Sequence, residues 1–181
     1  MMTVARQGAV KLLIEGRPGS GKTTAIGRLV DLLREADVPV AGFVTSEIRT
    51  SDGRRAGFRI ETFDGGSATL AHTKLAGPPR VGRYGVDLEA FERLALPVLA
   101  DPGEGVVVLD ELGKMELASE QFRDVVVRLF EESAPIVATV HAHRHPFTDA
   151  LKRRPDVELL RVTARTRDDL PEQLLKLLGT G

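Results

Sequence analysis

Two rhythms of apolar and polar residues follow one another along this chain, one with the period of a strand and one with the period of a helix. Residues 10–15 form an apolar run that stops at Gly16 and predict a buried strand. Residues 23–35 follow with Ile26, Leu29, Val30 and Leu33 on one helical face. Residues 38–45 are rich in β-branched side chains and predict a second strand. Asp52-Gly53 lies between two alternating runs, which predicts an antiparallel hairpin near residues 43–49 and 55–63 at the edge of the sheet. Residues 68–72 predict a short strand; residues 76–85, with Pro78-Pro79 and three glycines, predict a loop.

Asp87 is placed to cap a helix that turns Leu88, Phe91, Leu94, Ala95 and Val98 inward. Residues 106–109 are wholly apolar, as a central parallel strand requires. Ser119 precedes a helix with Phe122, Val125, Val126, Leu129 and Phe130 at i, i+3, i+4, i+7 and i+8. Residues 136–140 and 157–162 predict two further strands, separated by a helix near 147–153. A last helix holds Leu170, Leu174, Leu177 and Leu178, with Pro171 in its first turn. This alternation predicts an α/β fold with a mostly parallel central sheet, an antiparallel edge hairpin, and one domain over residues 1–181.

Composition narrows the function classes. The net charge is −1, and basic pairs such as Arg54-Arg55 and Arg153-Arg154 are too short for a nucleic-acid surface. The absence of cysteine removes disulfides, thiolate metal sites and cysteine nucleophiles. The apolar run near the start, residues 8–13, is too short for a secretory leader, and no window approaches a membrane span. The expected location is the cytoplasm.

The chemistry enters at residues 16–23, G-R-P-G-S-G-K-T, which fit G-x-x-x-x-G-K-[ST] at every fixed position. Such a loop points backbone N–H groups at polyphosphate oxygens, and the helix after it directs its positive dipole end at the same anion. Lys22 is placed to reach the β- and γ-phosphates, and the Thr23 hydroxyl to ligate Mg²⁺. The second motif is V-V-V-L-D-E at 106–111. Asp110, at the carboxyl end of a buried strand, is expected in the Mg²⁺ shell, and Glu111 beside the water that attacks the γ-phosphate. Lys114 is a candidate for phosphate contact or a plain surface lysine. His141, which ends P-I-V-A-T-V-H, is a candidate γ-phosphate sensor or water ligand. Residues 143–145 read as a loop, and zinc is disfavoured there. Arg17, Arg49, Arg59 and Arg83 are candidate charge-neutralising cations; Tyr84 and Phe43 are candidates to stack on a base, with core packing the alternative for Phe43.

The match then extends well past the phosphate loop. G-x-P-G-x-G-K-T-T, G-F-V-T-S-E-I-R, G-x-R-x-G-F-x-I, G-R-Y-G-V-D-L-x-x-F-E, V-V-V-L-D-E-L-G-K-M-E-L, A-T-V-H and V-T-x-x-x-R-D-x-L together resemble the nucleoside-triphosphatase family of thermophilic bacteria and archaea, which has a human cancer-related member. The resemblance runs from Lys11 to about Leu178. It implies a RecA-like P-loop αβα sandwich and slow Mg²⁺-dependent hydrolysis of ATP, GTP, CTP, UTP and TTP to diphosphates. It also implies that nucleotide is bound by Gly16, Arg17, Pro18, Gly19, Ser20, Gly21, Lys22, Thr23 and Thr24, and by Val107, Val108, Leu109, Asp110, Glu111, Leu112, Gly113 and Lys114. One departure is Thr166-Arg167-Asp168, where the family usually carries Asn-Arg-Asp. Two readings from other classes stay open: a small-molecule or nucleotide kinase, and a nucleotide-dependent switch or accessory module.

Overall fold

In a computed structural model, which describes residues 8–180, the apolar run that ends at the phosphate loop is a strand near one side of a nine-stranded sheet. The expectation about a leader rests in part on residues 1–7, which lie outside the described residues. The strands are β1 (Lys11–Gly16), β2 (Val40–Arg49), β3 (Arg55–Thr62), β4 (Ser67–His72), β5 (Arg80–Val81), β6 (Tyr84–Val86), β7 (Val106–Leu112), β8 (Ile136–His141) and β9 (Val157–Arg161). Their order is β5-β6-β4-β3-β2-β7-β8-β1-β9. From β2 to β9 neighbouring strands are parallel; from β2 to β5 they are antiparallel.

Alternation along the central strands sends side chains to two separate cores. Leu13 and Leu109 face a cluster filled by Phe91, Phe122 and Leu151, from α2 (Leu88–Ala100), α3 (Glu120–Glu131) and α4 (Pro146–Lys152). Leu12, Ile14 and Val108 face the other cluster, filled by Ile26, Leu29 and Leu174 from α1 (Lys22–Glu35) and α5 (Leu170–Leu177). Helices thus cover both faces, and the αβα sandwich is the result. Phe43, Phe91 and Phe122 meet at centroid distances of 5.7, 5.8 and 5.0 Å, so Phe43 belongs to the core and not to a base platform.

The helix boundaries follow from local chemistry. The Asp87 carboxylate accepts from the Ala90 amide at 2.9 Å at the start of α2, and the Ser119 hydroxyl accepts from the Phe122 amide at 3.0 Å at the start of α3. Two expectations change. The predicted loop over 76–85 contains β5 and β6, because Val81 and Tyr84 pair across a tight turn with Gly82 at φ 58. The antiparallel side is therefore longer than one hairpin: β4, β6 and β5 continue it past β3, and β5 forms the edge. Tyr84 packs edge-on against Phe58 at 5.3 Å.

Lys11 is the least expected feature of β1. It is 3% exposed in an apolar strand, and its ammonium donates to the carbonyls of Leu129, Glu132 and Ala134 at 2.9, 2.7 and 2.6 Å. Leu129 and Glu132 are at the end of α3 and Ala134 follows it, so one buried cation ties the helix end to the strand carrying the phosphate loop. Burial pulls the Lys11 pKa below its ordinary value, and Asp156 opposes the shift. Replacing Lys11 with Met removes three donors while keeping the stem; the expected loss is about 2–3 kcal/mol of stability in a urea melt, since charged hydrogen bonds contribute about 1.5–3 each and some carbonyls will recruit water. A loss below about 0.5 kcal/mol contradicts this role.

Candidate functional site

The parallel strands end on one side of the sheet, and a cleft of about 560 Å³ opens there. β1 delivers the phosphate loop to it and β8 delivers His141. β7 brings Glu111 and Leu112, with Gly113 just after it, and β2 with β3 brings Thr45, Glu47, Arg55 and Phe58.

The loop turns tightly from Gly16 into α1. Gly21 caps the helix at φ 97, a left-handed conformation that a side chain rarely adopts, and Gly16 passes so close to Ser20 that a Cβ would lie 2.5 Å from its Oγ. The Lys22 ammonium folds back onto the loop and donates to the carbonyls of Gly16 at 2.7 Å and Arg17 at 3.2 Å. The Ser20 hydroxyl is buried with no hydrogen-bond partner. The loop thus holds a buried cation and an unpaired donor at the positive end of a 14-residue helix, which suits an anion. Pro18, Gly19, Gly21, Lys22, Thr23 and Thr24 line the cleft. Arg17 is exposed at the loop's shoulder.

Asp110 is 1% exposed. Its Oδ1 accepts from the Thr139 hydroxyl at 2.6 Å, and its Oδ2 is buried with no partner. Burial pushes the Asp110 carboxyl above its usual range; Thr139, Thr23 and Lys22 act in the opposite direction. An unpaired buried carboxylate oxygen next to the Thr23 hydroxyl is a hard, oxygen-only donor set, and the residues therefore fit a small divalent cation such as Mg²⁺. Glu111 lies closer to the open cleft, where its Oε1 and His141 Nε2 are 2.8 Å apart. His141 is therefore placed on Glu111. Its carbonyl accepts from Lys152 at 3.0 Å, and the same ammonium donates to Glu15 Oε1 at 2.6 Å, one residue before the loop. A half-buried ion pair thus locks the ends of β1 and β8 together beneath the site.

Not every residue in the two expected segments reaches the cleft. Val107, Val108 and Leu109 are fully buried, with side chains in the two cores, and they set the position of Asp110. The strand also runs on to Leu112, so both acids belong to β7 itself. Lys114 is exposed at the cleft rim. Among the candidate arginines, Arg49 pairs with Glu47 and donates to the Gly53 carbonyl, and Arg83 donates to the Arg55 carbonyl, so both are engaged on the antiparallel side.

Four further features have no role assigned by the motifs. Thr139 has a sequence signal, a lone hydroxyl inside an apolar strand two residues before His141. The Glu15–Lys152 pair joins residues far apart in sequence and has none. Arg167, in the string that departs from the family pattern, lies over the phosphate loop: a Cβ on Gly21 would be 3.1 Å from its Cδ. Glu116 is 4% exposed in the cleft wall, and burial together with the nearby Glu111 raises its pKa from 4.5 to about 8. A carboxyl raised in this way stabilises the fold in acid, and that contribution is lost as pH rises from 4.5 to about 8. Glu116→Gln cannot ionise, so its melting temperature relative to wild type will climb across that window and level off above it. A constant difference between acid and alkali contradicts the assignment.

The comparisons with known proteins point to one family. A family model described as NTPase matches residues 11–175. The chain is 41% identical over 171 residues to the nucleoside-triphosphatase THEP1 of Thermotoga sp. strain RQ2, covering 93% of this chain and 95% of that one. It is 38% identical over 174 residues to the human cancer-related nucleoside-triphosphatase, covering 88% and 91% of the two chains. The crystal structure of THEP1 from the hyperthermophile Aquifex aeolicus superposes with a TM-score of 0.81 at 34% identity, covering 93% of this chain and 99% of that one. With its phosphate loop, its acidic strand and its whole described sheet accounted for, the chain belongs to the NTPase family that includes these nucleoside-triphosphatases.

Proposed function

We propose that this chain is a Mg²⁺-dependent nucleoside-triphosphate phosphohydrolase that releases the γ-phosphate of ATP, GTP and the other common nucleoside triphosphates. We propose further that it works as a single unit in the cytoplasm. The observation that carries the reading is the convergence in one cleft of a buried phosphate-loop lysine, a buried carboxylate with an unpaired oxygen, and a second carboxylate held by a histidine. A loop of this kind contacts the phosphates, which all nucleoside triphosphates share, and this supports broad base specificity. All nine strands share one sheet, and no described helix is long and apolar enough to cross a membrane.

In this mechanism the polyphosphate draws Lys22 off the carbonyls of Gly16 and Arg17, and the lysine then neutralises charge on the β- and γ-oxygens. Thr23 and Asp110 would hold Mg²⁺, which when bound would offset phosphate charge. Glu111, with its Oε1 fixed by His141, takes a proton from the water whose oxygen attacks phosphorus, as the bond from the γ-phosphorus to the bridging oxygen breaks. With Glu111 ionised, His141 Nε2 is the donor in that pair. His141 therefore acts through Glu111, and its roles as γ-phosphate sensor or water ligand are not needed.

A kinase reading is favoured by one observation. Along the sheet, the phosphate loop at β1 is followed by β8, β7, β2 and β3, so the hairpin residues Thr45, Glu47, Arg55 and Phe58 lie in the cleft beyond the acids. Space there could admit an acceptor other than water. Phosphate release in the absence of any acceptor decides between the two readings.

Two mutants test the hydrolase. Lys22→Ala is expected to lower phosphate release by at least about 10²-fold, since it removes the cation that meets the transferring group; normal turnover rules out the phosphate-loop assignment. Glu111→Gln is expected to keep nucleotide affinity within about threefold while kcat falls by about 10²-fold or more, the scale of general-base catalysis. An unchanged kcat takes Glu111 out of the chemistry.

A further inference from the structure

Glu116 is the one buried carboxyl in the cleft wall that the mechanism leaves unused. It sits in the 3-10 turn Glu116–Ala118, and its neighbourhood brings it to Glu111 in particular. At Gly113 an added Cβ would lie 2.9 Å from Glu116 Oε2 and 3.0 Å from Glu111 Oε1, so the two carboxyl groups converge on the space this glycine leaves open. The Oε1 atom that His141 contacts is the same one that closes on this space.

The turn is well fixed. Leu117 donates its amide to the Gly113 carbonyl at 2.9 Å, Ser119 donates to the Glu116 carbonyl at 3.1 Å, and Arg123 of α3 donates to the Leu117 carbonyl at 2.5 Å. Among the charged groups of the elements around the turn, Glu92 of α2 accepts from the Ser119 hydroxyl, and Arg123 is spent on that carbonyl. β7 contributes only negative charge, from Asp110 and Glu111. A leucine would fill this volume without the cost of burying a carboxyl. The backbone amides of Gly113 and Glu116 partly offset that cost, and the carboxyl is also turned toward Glu111.

We propose that Glu116 is a positioning residue for Glu111: its carboxyl braces the Glu111 carboxylate from the turn after β7, while His141 holds it from β8. The proposal rests on the reading of Glu111 as the base. Glu116 does this as an uncharged acid, which can donate its O–H toward Glu111; in ionised form it would repel both Glu111 and an incoming triphosphate. Held from two elements, the Glu111 carboxylate would sample fewer orientations, which favours proton abstraction.

A kinetic double-mutant cycle tests this, with GTP as substrate and saturating Mg²⁺. Glu116→Leu keeps the volume and removes the donor; it is expected to lower kcat by roughly tenfold to hundredfold with little change in KM. Glu116→Gln, which retains a neutral donor, is expected to restore kcat to within about threefold of wild type. In the Glu111→Gln background, Glu116→Leu should have no further effect on kcat, because the group it positions is already gone. If Glu116→Leu does not fold, Gly113→Ala takes its place in the cycle: its Cβ intrudes between the two carboxyls, and the same loss confined to the Glu111 background is expected. A normal kcat in the folded Glu116→Leu protein, or an equal loss with and without Glu111, overturns the proposal while leaving the hydrolase reading intact. A normal kcat in Glu111→Gln alone removes the reading beneath it.

Discussion

Negative charge is the quantity this site has to manage. Asp110, Glu111 and Glu116 crowd the end of one strand and the turn after it, and the proposed ligand is itself a polyanion. Each acid is treated differently. Asp110 is buried beside hydroxyls with one oxygen left free, Glu111 faces the cleft under a histidine, and Glu116 is sealed into the wall where burial favours its neutral form. On the other side of the cleft stand the compensating groups: Lys22, the unpaired Ser20 hydroxyl and the amino end of α1. The fold can be understood as the device that keeps these two sets facing each other at fixed distance.

The sheet performs that task through its order. β8 separates β1 from β7, so the phosphate loop and the acids are two strands apart, with His141 between them on the strand that joins them. Fixed spacing requires that the strand ends do not slide. Lys152 bonded to both Glu15 and the His141 carbonyl, Thr139 on Asp110, and Lys11 on the end of α3 are the polar fasteners that prevent it. All lie beneath or behind the cleft, and none shows its partner in the sequence.

Much of this was legible from the chain alone, for identifiable reasons. The phosphate loop has a short, contiguous signature because its function depends on consecutive backbone groups. The central strands show as apolar runs because helices cover both faces, and Asp87 and Ser119 mark helix starts through their own side-chain oxygens. What could not be read depends on pairing between distant residues. Nothing local distinguishes Lys11 from a surface lysine, or Glu15 from a solvated acid. β5 and β6 were hidden because strands of two and three residues leave too few positions for a period to emerge. Val107, Val108 and Leu109 fall within a motif segment, yet their contribution is to the core, because a motif marks where a strand passes and not which side chains meet the ligand.

Lys22 and the loop around Ser20 are the proposed seat of the triphosphate. A crystal structure with Mg²⁺ and a non-hydrolysable nucleoside triphosphate analogue tests this most directly. The expected result has the β- and γ-phosphates inside the loop, the Lys22 ammonium moved from the Gly16 carbonyl to phosphate oxygens, and the metal bound to Thr23 and within reach of Asp110. An analogue bound elsewhere, with Lys22 still on the Gly16 carbonyl, contradicts the account.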